Sequence, residues 1–382
     1  MKNPEHHIFA MTPETLTEWC LERRLPKFRA KQILEWVYVK GIADPELMTN
    51  LSNADRAMLS REMTFLSGPT VAHQLATDGT QKLLIEWPDN IDTKTVDAQE
   101  ATVNKNTRLP IIDQEMPYSN TARQTECVMI PAVDTDRRTA CVSSQIGCPV
   151  GCTFCATGIG GLDGNLSSGR IVEQVWRLTH LKGVQRISNV VFMGMGEPLA
   201  NIAAVIEATK ILAAPWGMGV SARKITISTV GMHKAIEKLA DALDLPVTLA
   251  LSLHAPNDNL RRQLIPWAEF TTIEQLVDAC SIWFKKTGRE ITLEYILLGG
   301  VNDRPEHAVE LAAIVKKLRA NVNLIRYNEV KGLEFSRPTG DDVHHFQRVL
   351  REQGVNCHIR ASRGRDIAAA CGQLRHDQMI SQ

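Results

Sequence analysis

The chain has 382 residues, 44% of them hydrophobic, and its basic and acidic side chains balance to a formal net charge of +0. This composition excludes a disordered or fibrous protein, and the length suits one large domain with a smaller one beside it. With no global field and only 5% aromatics, the surface is not built to stack single strands, so any nucleic-acid contact must come from local basic patches.

Residues 1–11 are polar and lack the apolar core of a signal sequence. The most apolar helical stretch, 202–212, is interrupted by Glu207 and Lys210 and is too short to span a bilayer. The expectation is a cytoplasmic protein without membrane attachment, in a compartment where structural disulfides are rare. Nine cysteines there ask for another use, and an odd number argues against a paired framework.

Residues 12–65 carry a helical pattern. Thr12-Pro13-Glu14 supplies an N-cap, a proline at the first helical position and an acid near the positive helix end. Pro26 breaks this helix. A second follows with Ile33, Leu34, Val37 and Tyr38 on one face, and Ser52 with Asp55 marks another start. Arg23, Arg24, Lys27, Arg29 and Lys31 form a basic cluster, either a solvated face or an RNA phosphate contact. Asp78-Gly79 signals a hairpin turn, and Leu83, Ile85 and Trp87 alternate behind it. Residues 88–123 are polar, without a period, and read as a loop or insertion. Strand character returns at 128–130.

From 139 to 374 strands and helices alternate. The strands fall at 189–193, 224–228, 247–253, 291–297 and 323–327, with helices such as 169–180, 232–242 and 307–318 between them. This predicts an α/β fold in three regions: an N-terminal helical domain (1–70), a β-hairpin extension (71–138) and a core of parallel βα units (139–382). Six units suit a partial (β/α)6 barrel, and a doubly wound sheet fits almost as well. Either places ligands at the C-terminal strand ends.

The central motif is Gly147-Cys148-Pro149-Val150-Gly151-Cys152-Thr153-Phe154-Cys155. Three thiols at C-x3-C-x2-C in a short loop suit an iron–sulfur cluster or zinc. Structural zinc normally takes four ligands, and no fourth Cys or His has the local spacing. A cubane held by three cysteines leaves one iron open to chelate the amino and carboxylate groups of a methionine-like ligand. Gly147 and Gly151 allow a close wrap, and Phe154 can shield the centre from water. Read blandly, the three are buried cysteines or a partial zinc site.

This motif resembles that of the radical-SAM superfamily. Met193-Gly194-Met195-Gly196-Glu197-Pro198-Leu199, after a strand, resembles the superfamily's glycine-rich segment for the amino group of S-adenosylmethionine (SAM). Cys141-Val142-Ser143-Ser144-Gln145-Ile146-Gly147-Cys148, Ser252-Leu253-His254-Ala255-Pro256-Asn257 and Asp366-Ile367-Ala368-Ala369-Ala370-Cys371-Gly372-Gln373-Leu374 narrow the resemblance. Together they look like the bacterial adenine-C2 methyltransferases of 23S rRNA and tRNA. The phenicol-resistance methyltransferases, which act at adenine C8, are a sister group.

The resemblance implies a [4Fe–4S] cluster on Cys148, Cys152 and Cys155, and two SAM per turnover. It implies SAM contacts from Gly196, Glu197, Ser228, Ser252, Leu253, His254 and Asn328. Cys371 would first take a methyl group from one SAM. A radical from a second SAM would take a hydrogen from that methyl, and the methylene would add to the adenine. Cys141 would then attack the Cys371 sulfur, form a disulfide and free the RNA. Glu126, in Glu126-Cys127-Val128-Met129-Ile130-Pro131, would be the general base. Expected partners are 23S rRNA, tRNA, a low-potential electron donor such as flavodoxin or ferredoxin, and a thiol reductant, with the enzyme monomeric. RNA phosphates would meet the N-terminal cluster, Arg261-Arg262, and Arg360, Arg363 and Arg365. Cys20, Cys127, Cys280 and Cys357 read as structural. The competing readings are a C8 methyltransferase and a non-catalytic, metal-stabilised RNA-binding protein.

Overall fold

Local signals set the first elements of the computed structural model, which describes residues 2–88 and 123–374. Helix α1 (Pro13–Glu22) starts at Thr12, whose hydroxyl accepts from the Thr15 amide while Thr15 returns a bond to the Thr12 amide. Helix α2 (Phe28–Leu34) follows the Pro26 break, and α3 (Asn53–Glu62) is capped by Ser52. Leu16, Trp19, Ile33 and Leu59 bury their side chains in the same apolar core as the strands below.

Strands β1 (Thr70–Leu75) and β2 (Gln81–Glu86) turn at Asp78-Gly79, where Gly79 has φ +80. Strands β3 (Gln124–Pro131) and β4 (Arg138–Cys141) continue the antiparallel run. The polar insertion leaves and re-enters at one place, since Trp87 donates to the Arg123 carbonyl at 2.7 Å. Residues 89–122 of that insertion lie outside the described residues. Strands β5 (Gln145–Gly147) and β6 (Leu162–Asn165) form a separate small flap.

After α4 (Ser168–Thr179), strands and helices alternate: β7 (Asn189–Phe192), α5 (Ile202–Ala213), β8 (Ile225–Thr229), α6 (His233–Ala242), β9 (Thr248–Ser252), α7 (Asp258–Leu264), α8 (Ile273–Thr287), β10 (Ile291–Leu297), α9 (Pro305–Val315), β11 (Ala320–Arg326), α10 (Gly340–Glu352) and β12 (Cys357–Arg360). The sheet order is β1-β2-β3-β4-β7-β8-β9-β10-β11-β12, parallel from β4 onward. Within the parallel part, sheet order follows chain order without reversal. A doubly wound sheet needs a reversal, so the partial barrel is the architecture. Strand β12 is the parallel strand the sequence reading misses. It is four residues long, and only Cys357 and Ile359 reach the core, too little for a period. No helix among the described residues is long and apolar enough to cross a membrane.

A buried charge network ties the chain's first residues to α4. The Glu173 carboxylate accepts from the Ser67 amide at 3.0 Å and hydroxyl at 2.6 Å, and pairs with Arg177 at 2.6 Å. His7 Nε2 lies 3.1 Å away. Burial pushes this carboxyl up, but Arg177, His7 and Ser67 outweigh it and hold it at about 2. An unfolded glutamate titrates near about 4.3, so the network's contribution is complete above that pH and is lost as pH falls toward 2. Glu173→Gln should cost about 3–5 kcal/mol in denaturant unfolding at neutral pH and flatten the stability profile below about pH 4.5. Unfolding identical to the unaltered chain would contradict this assignment.

Candidate active site

The cysteine loop leaves β5 through Gly147, at φ +73, where an added Cβ would stand 2.0 Å from the Gly161 carbonyl oxygen. That approach lets the Cys148 amide donate to Gly161 at 2.8 Å and fixes the start of the loop. Thr153 donates to the Leu264 carbonyl at 3.0 Å and secures its middle. Cys148, Cys152 and Cys155 line one cavity with Phe154, Gly196 and Glu197. Burial pushes the Cys148 thiol up to about 12 and raises the other two, and at Cys152 the neighbouring thiols add to the effect. Such a set cannot ionise unaided, whereas a cationic metal centre would take all three as thiolates. Among the described residues, no three His, Cys, Asp or Glu side chains converge where a single metal ion would sit. Three thiols spread around one cavity fit separate corners of an iron–sulfur cubane.

The strand ends supply the opposite wall. After β7, Gly196 adopts φ +101, and an added Cβ would meet the Gln145 side chain at 2.6 Å. The Glu197 carboxylate accepts from the Leu199 amide at 2.9 Å and from the Val230 amide at 2.8 Å. It therefore fixes two strand-end loops, and the backbone around Gly196 is what the segment presents to a ligand. Ser228, one residue before the end of β8, and Ser252, the last of β9, have hydroxyls 3.3 Å apart and line the same cavity.

His254 lines it too, in a left-handed conformation (φ +59) unusual for a residue with a Cβ. Asn302 holds its carbonyl at 2.8 Å, and its Nδ1 accepts from the Ile296 amide at 3.1 Å, which leaves the ring hydrogen on Nε2. Burial, with Arg261 nearby, pushes this imidazole down to about 3, so it works as a neutral donor. Leu253 and Asn328 stand apart from this group. Leu253 packs in the core, offering only backbone, and Asn328 lines a second cavity while accepting from Arg337 at 2.8 Å. Sequence reasoning missed Glu294 in the cluster cavity, a carboxylate hidden in the apolar pattern of β10.

The second cavity adjoins the first. It is lined by Cys141 at the end of β4, by Arg360 at the end of β12, and by Arg137 and Arg363. Cys371 and Arg360 line both cavities. The C-terminal segment is held there by Ala156, which donates to the Gly372 carbonyl at 2.8 Å, and by Thr157, which donates to the Leu374 carbonyl at 3.3 Å. Burial pushes the Cys141 thiol up to about 12, with Cys371 adding to the rise and Arg360 opposing it. All nine cysteines are free thiols, and no disulfide joins Cys141 to Cys371 in this structure. Glu126 is buried in β3 and pairs with Lys82 at 2.8 Å. Lys82, a lysine in a buried strand, gives no motif signal. Cys20, Cys127, Cys280 and Cys357 are buried.

The basic residues divide. Arg261 is fully buried and donates to the carbonyls of Leu253 (3.2 Å), Thr271 and Val230. It cannot reach a phosphate, because two carbonyls just past strand ends and one in the loop before α8, all away from water, need its guanidinium. Arg262 beside it is exposed. In the N-terminal cluster, Arg23 pairs with Glu62 and Arg29 with Asp55, while Arg24, Lys27 and Lys31 are exposed.

Comparison with known proteins agrees with this layout. Residues 142–312 match the family model of the radical SAM superfamily, and residues 6–64 match that of a ribosomal RNA large subunit methyltransferase N-terminal domain. The chain is 38% identical to a dual-specificity RNA methyltransferase RlmN of Dichelobacter nodosus, over 96% of this chain and 93% of that one. It is 38% identical to the corresponding protein of Nautilia profundicola, over 96% and 97%. A solved radical SAM methyltransferase from Sphaerobacter thermophilus is 36% identical, with a TM-score of 0.86 over 97% of this chain and 100% of that one.

Two sets of variants probe the site. Anaerobic reconstitution should load iron and sulfide onto the unaltered chain and onto Cys371→Ala, but not onto Cys148→Ala, as read by absorbance and metal analysis. Equal iron on all three, or zinc alone, would contradict the assignment. Arg261→Met should lower stability by about 3 kcal/mol without changing RNA affinity at fixed salt. Lost RNA affinity at unchanged stability would restore Arg261 as a phosphate contact.

Proposed function

The chain belongs to the RlmN family of radical-SAM RNA methyltransferases, and we propose that it methylates C2 of an adenosine in 23S rRNA and of the adenosine 3′ of the anticodon in tRNA. The observation that carries this reading is the position of Cys371, a thiol on the wall shared by the cluster cavity and the arginine-lined cavity.

Adenine C2 lies between two ring nitrogens and has no lone pair to attack a methylsulfonium. Polar transfer from SAM fails there, and a carbon radical is needed. The cluster on Cys148, Cys152 and Cys155, with SAM, supplies when bound a radical able to take hydrogen from a sulfur-bound methyl group. The chain's own residues do the rest by placement. The backbone at Gly196, with Ser228, Ser252 and the neutral His254, orients SAM. Cys371 carries the methyl group, so one SAM is used as methyl donor and a second as radical source. The target adenine enters beside Arg360 and Arg363, unstacked from its neighbours.

Once the carbon bridges Cys371 and C2, the adduct still holds an unpaired electron; it gives this electron up to a one-electron acceptor, such as the oxidised form of the low-potential donor, and Glu126 takes the C2 proton. Cys141 then attacks the Cys371 sulfur. The electron pair of the carbon–sulfur bond leaves with the carbon, which takes a proton and becomes the product methyl. The raised Cys141 thiol is inert until a base removes its proton, and its thiolate is then strongly nucleophilic. The disulfide so formed is transient and needs a thiol reductant. We place the enzyme in the cytoplasm, acting as a monomer with a flavodoxin- or ferredoxin-like donor. The N-terminal match favours C2 over C8.

Nucleosides from 23S rRNA fragments incubated anaerobically with enzyme, SAM and reductant should contain 2-methyladenosine. An 8-methyl product would overturn the regiochemistry. Cys141→Ala should accumulate a covalent protein–RNA adduct whose peptide maps to Cys371. A variant that turns over freely, or an adduct at another residue, would remove Cys141 from the release step.

A further inference from the structure

Lys82 is a buried charge that the reaction as described does not use. It lies inside β2 with 7% of its surface exposed. An ammonium in such a place is costly unless its donors are met. Its Nζ lies 2.8 Å from Glu126 Oε1 and donates to the Ala368 carbonyl at 3.3 Å. One ammonium therefore touches both the carboxylate and the backbone three residues before Cys371.

That backbone is clasped to the hairpin independently of Lys82. The Thr77 amide donates to Asp366 at 2.8 Å, the Gly364 amide donates to Asp78 at 3.0 Å, and Arg363 lies 3.9 Å from the same Asp78 carboxylate. Ala368, two residues beyond Asp366, sits at φ +47, a left-handed conformation uncommon for a residue with a Cβ. The β1–β2 turn thus fixes the segment, and the segment supplies the acceptor that directs the ammonium.

We propose that Lys82 is a positioning residue that aims the Glu126 carboxylate at the adenine held on Cys371, using the Ala368 carbonyl as its reference. The inference rests on Glu126 as base and Cys371 as methyl carrier. Lys82 touches no substrate. Its work falls in the step that removes the C2 proton, and none falls in loading Cys371.

The test is a double-mutant cycle on two partial reactions: methyl loading of Cys371, read by peptide mass, and RNA methylation in a single turnover. Lys82→Met should load Cys371 as the unaltered enzyme does and lose about a hundredfold in RNA methylation. Lys82→Arg, which keeps the charge, should recover part of that loss. Removing both charges is better tolerated than stranding one, so Lys82→Met/Glu126→Gln stays informative if Lys82→Met misfolds. The double variant should be no slower than Glu126→Gln alone, because the lysine acts only through the carboxylate. A double variant about tenfold slower than Glu126→Gln, or an equal fall in loading and RNA methylation, would overturn the proposal. If Glu126→Gln itself methylates RNA at the normal rate, the base assignment fails instead, and that result reads separately.

Discussion

A single backbone hydrogen bond, from the Ala156 amide just beyond the cysteine loop to the Gly372 carbonyl, connects the two halves of the chemistry. It docks the C-terminal segment against the loop that carries Cys148, Cys152 and Cys155. Cys371 consequently lies in the wall between the cluster cavity and the cavity holding Cys141 and Arg360. The carrier role proposed for Cys371 requires a thiol that meets a sulfonium methyl on one side and a nucleobase on the other, and no other lining cysteine borders both spaces. The partial barrel supports this arrangement: Cys141, Ser252 and Arg360 end their parallel strands and Ser228 lies one residue before the end of its own, bringing residues distant in sequence onto one rim.

Around that junction the protein spends buried polarity on geometry. Glu197 is used up on two backbone amides, Arg261 on strand-end carbonyls, and His254 on the Ile296 amide. None of these is free to serve as acid or base in bulk-water fashion. Each instead fixes the curve of a strand-end loop, so that a ligand meets preset backbone donors and acceptors. Satisfied buried networks are rigid, which suits a site that must confine a radical.

Much of this is legible in sequence wherever the cause is local. The Thr12 and Ser52 caps, the Asp78-Gly79 turn and the alternation of β7 through β11 are short-range patterns, and they fold as read. The three cluster cysteines fall within a few residues of one another, so their spacing already contains their geometry. What escapes is set by distant partners. Arg261 looks like half of a surface basic pair, yet carbonyls from three separate segments draw it inside. Asn328 follows a strand end but faces the neighbouring cavity. Lys82 and Glu294 sit in runs that read as plain strand, and only the folded sheet reveals which polar groups face them.

In the proposed reaction the transferred carbon is held for a time as a bridge on the Cys371 sulfur. SAM with a fully deuterated methyl group tests this most directly, with the methylated adenine analysed by mass spectrometry. The product methyl should have one deuterium replaced by hydrogen, because an atom is removed while the carbon is on sulfur and a proton is added on release. A product that retains its full deuterium content would mean the methyl moves intact, and the role given to Cys371 would be wrong.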